Sequence, residues 1–232
     1  MKNLRTTCSL LAMLLAGCAT TPGPQDAPPG TPPGEDQADL ADLFDGDLAK
    51  AHALREAGYH ELAVGEYRRV AEGGAPAVVK TEARIGQARC FLRLDNPAAA
   101  VRALTPPPVN PASDAERRHL AWLGEALLRA DAPREAESPL EVAVAGFPAD
   151  APLPPWAARC CANLAGAYLR NGKPPQAVAL YYRAALAFEQ HGDLEAADYA
   201  QRMARDILAA LGESPSRARP KALEPAGDFS HE

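Results

Sequence analysis

The chain has 232 residues, among them 50 alanines, 23 prolines, 17 glycines and only 13 aromatics, with a formal charge of −6. Alanine is the strongest intrinsic helix former, and sandwiches or barrels need the β-branched and aromatic residues that are scarce here, so the composition excludes an all-β architecture and points to closely packed helices. The acidic balance excludes a nucleic-acid protein by net field.

Lys2 and Arg5 precede an apolar run from Leu10 to Ala16, the length of an export-signal core and too short to span a bilayer as a helix. The run closes in Leu15-Ala16-Gly17-Cys18, which resembles the lipobox of bacterial lipoproteins. The resemblance implies that residues 1–17 are a signal peptide cut before Cys18, that Cys18 carries the lipid, and that three acyl chains anchor the protein stably. Ala19 follows in place of an aspartate, which in Gram-negative lipoproteins implies the periplasmic face of the outer membrane. Without Lys2 and Arg5 the processed chain holds 22 basic against 30 acidic residues, a net −8.

Residues 22–36 contain six prolines and no packable apolar group. The stretch 18–40 therefore reads as the lipidated cysteine and an extended spacer, in which fifteen residues at about 3.1 Å each reach roughly 45 Å. Asp42, Asp45 and Asp47 around Gly46 have the wrong offsets for a calcium loop and read as caps of the first helix. Residues 41–212 form the expected folded domain, and 213–232 lack core material.

Inside that domain the prolines fall in register. Pro97, Pro133 and Pro174 each lie three residues before an alanine (Ala100, Ala136, Ala177), and each alanine lies four before a large residue (Leu104, Leu140, Tyr181). Asp95, Asp131 or Gly172 stands two residues before each proline, so a turn residue and a proline at the first helical position open a new helix. Gly58, His60, Ala63 and Tyr67 make a fourth copy. Twelve residues before each anchor alanine is another small residue, Ala51, Ala88, Gly124 or Ala165, followed three residues on by Leu54, Phe91, Leu127 or Tyr168. Each unit is two helices crossing at small residues, and the units recur at 37, 36 and 41 residues. This predicts an all-α, helical-hairpin solenoid of about four repeats.

Leu120-x2-Leu123-Gly124-x2-Leu127 with Ala136-x3-Leu140-x2-Ala143, and Cys161-x2-Leu164-Ala165-x2-Tyr168 with Ala177-x3-Tyr181-x2-Ala184, resemble the tetratricopeptide repeat. The resemblance covers roughly residues 45–190. It departs where the signature tryptophan position holds Asp47, Arg84, Leu120 and Cys161 and where the Pro-rich insertions 105–111 and 148–155 separate units. Pro139 lies inside a second helix, where it removes one backbone bond and is expected to kink it. Residues 193–211 predict a capping helix with Asp193 as N-cap, Gly212 as stop and Leu194, Ala197, Met203, Ile207, Leu208 and Leu211 on its apolar face.

Chemistry-bearing motifs are missing. There is no phosphate loop, nucleophile elbow, zinc-protease signature or dinucleotide fingerprint, and the five histidines share no ligand spacing. Cys90, Cys160 and Cys161 read as small core residues, the alternative being a disulfide from Cys90 to one of the adjacent pair. No catalytic residue, metal site or cofactor is expected beyond the lipid on Cys18.

Function is therefore sought on a surface. The resemblance implies a concave wall formed by one face of the first helix of each unit, at offsets −6, −3, +1, +4 and +5 from its small residue. That face carries Arg55, Arg89, Leu92, Arg93, Arg118, Leu128, Arg129, Arg159, Leu169 and Arg170, with Asp45, Leu48, His52, Glu56, Glu82, Ile85, Ala121, Glu125, Ala162 and Gly166 between them. Seven arginines against four acids predict a groove for a protein partner, specifically an acidic-apolar segment or chain terminus held by guanidinium forks. Lipobox and repeats together resemble pilotins and the accessory lipoproteins of pilus, gliding, barrel-insertion and export systems, which implies a scaffold or assembly factor for an envelope machine. The alternative is a regulator of a cell-wall synthase or hydrolase, or a glycan-binding accessory protein.

Overall fold

The computed structural model describes residues 46, 48–148 and 151–212. Among them the chain is helical without strands: α1 (48–56), α2 (His60–Glu72), α3 (Ala77–Arg93), α4 (Pro97–Ala103), α5 (Asp114–Arg129), α6 (Pro133–Val144), α7 (Pro155–Arg170), α8 (Pro174–Gln190) and α9 (Leu194–Ala210). The order α1–α2, α3–α4, α5–α6, α7–α8 is four helical hairpins, and α9 packs on α8 as the cap. The fold is an all-α hairpin solenoid. Cys18, the spacer, Asp42, Asp45, Asp47 and residues 213–232 lie outside the described residues.

One local device makes all the hairpins. The residue two before each second helix has a positive φ: Gly58 at 84°, Asp95 at 51°, Asp131 at 61° and Gly172 at 75°, with Gly192 at 76° before α9. The residue after it donates its N–H to the carbonyl five residues back, as Tyr59 to Leu54, Asn96 to Phe91, Ala132 to Leu127, Lys173 to Tyr168 and Asp193 to Phe188, all at 2.8–2.9 Å. This is the six-to-one closure of a Schellman turn, which needs a left-handed residue at that place. Proline then opens α4, α6 and α8, where its missing N–H has no helical partner to lose. α5 starts differently, on a capping box in which the Glu116 N–H donates to Ser113 Oγ and the Ser113 N–H donates to the Glu116 carboxylate.

Packing follows the repeat. Ala51, Ala88, Gly124 and Ala165 are buried on the first helices, and Ala63–Tyr67, Ala100–Leu104, Ala136–Leu140 and Ala177–Tyr181 are buried on the second. At two crossings the space is smaller than a methyl group allows. A Cβ on Gly124 would stand 2.3 Å from Leu140 Cγ, and one on Gly86 would stand 2.4 Å from the Tyr67 ring. Four apolar clusters each join one hairpin to the next element, so the core is a continuous row. α3 also packs on α5 and α5 on α7, which aligns the first helices side by side.

The two Pro-rich insertions are tied down by histidines. α4 ends after seven residues because the following prolines cannot continue a helix, and His119 of α5, almost wholly buried, donates its Nε2–H to the Leu104 carbonyl at 2.7 Å. His191 does the same for Leu153 at 2.7 Å, and Arg183 donates to the carbonyls of Phe147 and Pro148. Helix α6 runs through Pro139 from Pro133 to Val144. In α9 the Asp193 side chain accepts from the Ala196 N–H and Gly212 has φ 72°, as expected. Leu194 and Leu211, however, are 69% and 40% exposed. The seam against α8 is made by Ala197, Ala200, Ala204, Ile207 and Leu208, because helices crossing this closely admit alanine between them, while the leucines at the two ends lie beyond the contact.

Two outcomes test this packing. Gly124→Ala should lower stability by about 1–3 kcal/mol despite alanine's helix preference, whereas Gly65→Ala, with nothing within 4 Å of the new methyl, should raise it by about 0.5–1 kcal/mol; urea midpoints decide. His119 adds a pH dependence. Burial is the largest influence on its imidazole and holds its pKa below the ordinary value, against the Leu104 bond that raises it. The unfolded chain thus takes up the proton near pH 6.5 while the folded chain does not, so this contribution is complete above that pH and declines below it. The urea midpoint should fall from pH 7 to pH 5, and His119→Gln should flatten that decline.

Candidate functional site

The aligned first helices leave a cleft of about 360 Å3 on their common face. Arg55 of α1, Arg89 and Arg93 of α3, Arg129 of α5 and Arg159 of α7 all line it, so every hairpin contributes at least one guanidinium. Glu56, Gly58, His60, Leu92, Trp122 and Glu125 complete the wall. Five arginines against two carboxylates leave an excess of three positive charges in a concave space, where low-dielectric walls concentrate the field.

The arginines are not equivalent. Glu125, nearly buried, receives Arg159 at 2.8 Å and Arg129 at 3.5 Å, and Arg129 also donates to the Leu92 carbonyl at 3.2 Å. Arg89 and Arg159 stand over the Trp122 ring with their guanidinium carbons 5.2 and 5.3 Å from its centroid, two cation–π contacts to one indole. Arg55 reaches only its neighbour Glu56, at 3.4 Å. Arg93 has no side-chain partner among the described residues. Burial, and then the nearby charges of Arg55 and Arg159, lower the Arg89 pKa. A guanidinium stays protonated regardless, so the shift expresses the cost of burying that charge near two other guanidinium groups.

Four residues expected in the groove have other work. Arg118 donates to Glu82 at 2.6 Å, tying α5 to α3, and forms an ion pair with Asp114 of its own helix at 3.0 Å. Arg170 pairs with Asp131 and donates to the Leu128 carbonyl at 3.0 Å, holding the preceding hairpin's turn. Leu128 and Leu169 pack against the apolar clusters on either side of α7, so at these two positions the recurring offset records packing between repeats rather than an apolar lining. Leu92 packs among Ile85, Ala88 and Leu123 and also lines the cleft, as expected. Leu48, Ile85 and Ala121 of the same face are buried too.

Trp122 is the residue the sequence reading passed over. It lies at offset −2 from Gly124, and with Arg118, Glu125 and Arg129 it forms the i, i+4, i+7, i+11 series of one helix face. Widening the stripe to include offset −2 would have found it. Trp156, by contrast, packs edge-on against Phe147 with ring centroids 5.6 Å apart, and the Tyr168 hydroxyl donates to Glu141 at 2.7 Å.

Among the described residues no group of three or more His, Cys, Asp or Glu side chains could hold a metal ion, and no helix is long and apolar enough to cross a membrane. Cys90, Cys160 and Cys161 are buried free thiols, which resolves the open choice in favour of core residues. Desolvation raises the pKa of all three, Cys161 to about 11, so a reactive thiolate is disfavoured at each. In a chain carrying Cys8→Ser and Cys18→Ser, a thiol reagent should titrate none of them in the native state and three after denaturation. No family model matches this sequence, and no curated protein or solved structure is significantly similar to it.

Proposed function

We propose that the chain is a tetratricopeptide-like interaction scaffold, anchored by lipid on Cys18 at the periplasmic face of the outer membrane, that captures an acidic segment of an envelope protein in its arginine cleft. The observation that carries the reading is the convergence of Arg55, Arg89, Arg93, Arg129 and Arg159 from four hairpins on one concave space. Arg55, Arg89 and Arg93 are the free end of that array and supply the first contacts to a carboxylate; Arg129 and Arg159, held by Glu125, provide fixed background field. Trp122 offers an apolar face beside them for a neighbouring aliphatic or aromatic side chain. Charge-assisted bonds of this kind contribute about 1.5–3 kcal/mol each where water is excluded.

A photo-crosslinking residue placed at Glu56, on the rim, should capture the partner in cells. Arg89→Ala with Arg93→Ala should weaken that partner at least tenfold while leaving the thermal midpoint nearly unchanged. Arg118→Ala with Arg170→Ala should do the reverse, lowering stability and sparing capture. Equal loss of capture from both pairs would remove the cleft as the site. For the anchor, Cys18→Ser should abolish incorporation of labelled palmitate and move the protein from the membrane to the soluble fraction.

A further inference from the structure

A second concave surface lies on the other side of α3. Arg84, Gln87 and Phe91 follow one another at i, i+3 and i+7 along one face of that helix, while Arg89, Leu92 and Arg93 of the cleft fall on the face turned away from it. With α2 and α4 the first of these faces lines a groove of about 310 Å3, to which α2 brings Arg68 and Glu72 and α4 brings Arg102. Three successive helices thus each place one guanidinium in the groove. None of the three pairs with a carboxylate among the described residues, although Glu72 stands four residues after Arg68. On the same helix Glu66 shows the opposite behaviour, holding Lys50 at 2.6 Å and Arg69 at 3.2 Å. Arg84 is half-buried and occupies the place of the signature tryptophan in its repeat. Its charge is therefore partly withdrawn from water without a carboxylate beside it, which costs free energy unless an anion is supplied.

We propose that this groove is a binding site for an organic phosphate monoester, its phosphate held by Arg68, Arg84 and Arg102 and its organic part lying on Phe91. The site is separate from the arginine cleft and does not depend on the reading of that cleft. Charge selects the class of ligand. Three guanidiniums against Glu72 leave an excess of two positive charges. A phosphate monoester near neutral pH carries about −1.5 to −2 and offers three strong acceptor oxygens, whereas a single carboxylate leaves about half of that excess unmatched. Guanidinium forks also fit phosphate oxygens two at a time, so arginines arriving from three helices can surround the group. The Gln87 amide adds a donor in the same groove. Phe91 with Ala71, Ala99 and Ala103 gives the groove an apolar part, which suits a small hydrocarbon or ring attached to the phosphate. The volume lies at the lower end of the range of small-ligand sites, about 300–1,000 Å3.

The test is a calorimetric titration of the full chain with phenyl phosphate, at low salt and in a buffer without phosphate. Arg84→Gln with Arg102→Gln should weaken binding at least tenfold and leave the thermal midpoint unchanged, whereas Arg89→Ala with Arg93→Ala in the cleft should leave binding as it was. Arg68→Gln, on a third helix, should weaken it severalfold by itself and serves in place of the double variant if that folds poorly. Phenyl sulfate, of the same shape with one negative charge, should bind at least tenfold more weakly than phenyl phosphate. Loss of binding in the cleft variant with none in the groove variants would place the phosphate in the cleft and overturn the proposal, as would absence of binding to the unaltered chain. Equal affinity for phenyl sulfate would overturn the assigned ligand class. A second arm identifies the source of the phosphate. Displacement of bound phenyl phosphate by vesicles of phosphatidylcholine with phosphatidic acid, but not by phosphatidylcholine alone, would support the groove as a site for a lipid headgroup. Retention of phenyl phosphate against both would support it as a site for a soluble phosphate ester.

Discussion

The whole architecture depends on a left-handed residue that recurs once per hairpin. A helix ends where its last carbonyls find donors other than the next turn of the same helix, and a positive φ at Gly58, Asp95, Asp131, Gly172 or Gly192 turns the following N–H back onto the carbonyl five residues earlier. Because each closure uses the same geometry, each second helix leaves at a similar angle and returns its small residue to the same crossing. The prolines reinforce this from the other side by preparing the first turn of the new helix. Alanine and glycine at the crossings then allow backbones to approach closely enough that Tyr67 and Leu140 fill the space where a side chain would stand.

On this frame, polar contacts recur at the same period. Arg118 to Glu82, Arg129 to the Leu92 carbonyl, Arg159 to Glu125, Arg170 to the Leu128 carbonyl and Asn171 to the Pro133 carbonyl all join residues 34–42 apart. They lock successive hairpins, and they divide the arginines of one face into two sets. One set serves the stack; the other, in the last turns of α1 and α3, is left with little to bind among the described residues. Function resides in that remainder, since a site for a carboxylate requires cations whose charge is not already compensated within the fold.

The hairpin register could be read because it rests on local chemistry: φ-permissive residues, proline at the first helical position and small residues twelve apart are visible one position at a time. The capping box at Ser113 and Glu116 was equally local. Where a residue's role depends on what stands opposite it, the spacing was ambiguous. Leu128 and Leu169 share an offset with Leu92, which lines the cleft, yet they pack against the apolar clusters, because the wall of a solenoid is also the contact between its repeats. Leu194 and Leu211 fit a helical stripe, but the contact with α8 ends between them. Trp122 escaped because the assumed stripe left out offset −2, and only the neighbouring helices show that the cleft face is wide enough to include it.

Sequence by itself determined the all-helical class, the four hairpins with their boundaries, and the capping helix, since these follow from backbone preferences and from residue size at short separations. Tertiary structure decided which arginines are counter-charged among the described residues and which are not, since Arg118 and Arg93 are the same residue type on the same face, but Arg118 has Glu82 in reach and Arg93 has no side-chain partner among those residues. It also decided that three cysteines are core thiols and that two histidines pin the Pro-rich insertions. The physical reason is common to all of these: the state of a charged or polar side chain is set by groups that lie one repeat away in sequence and become neighbours only when the hairpins stack.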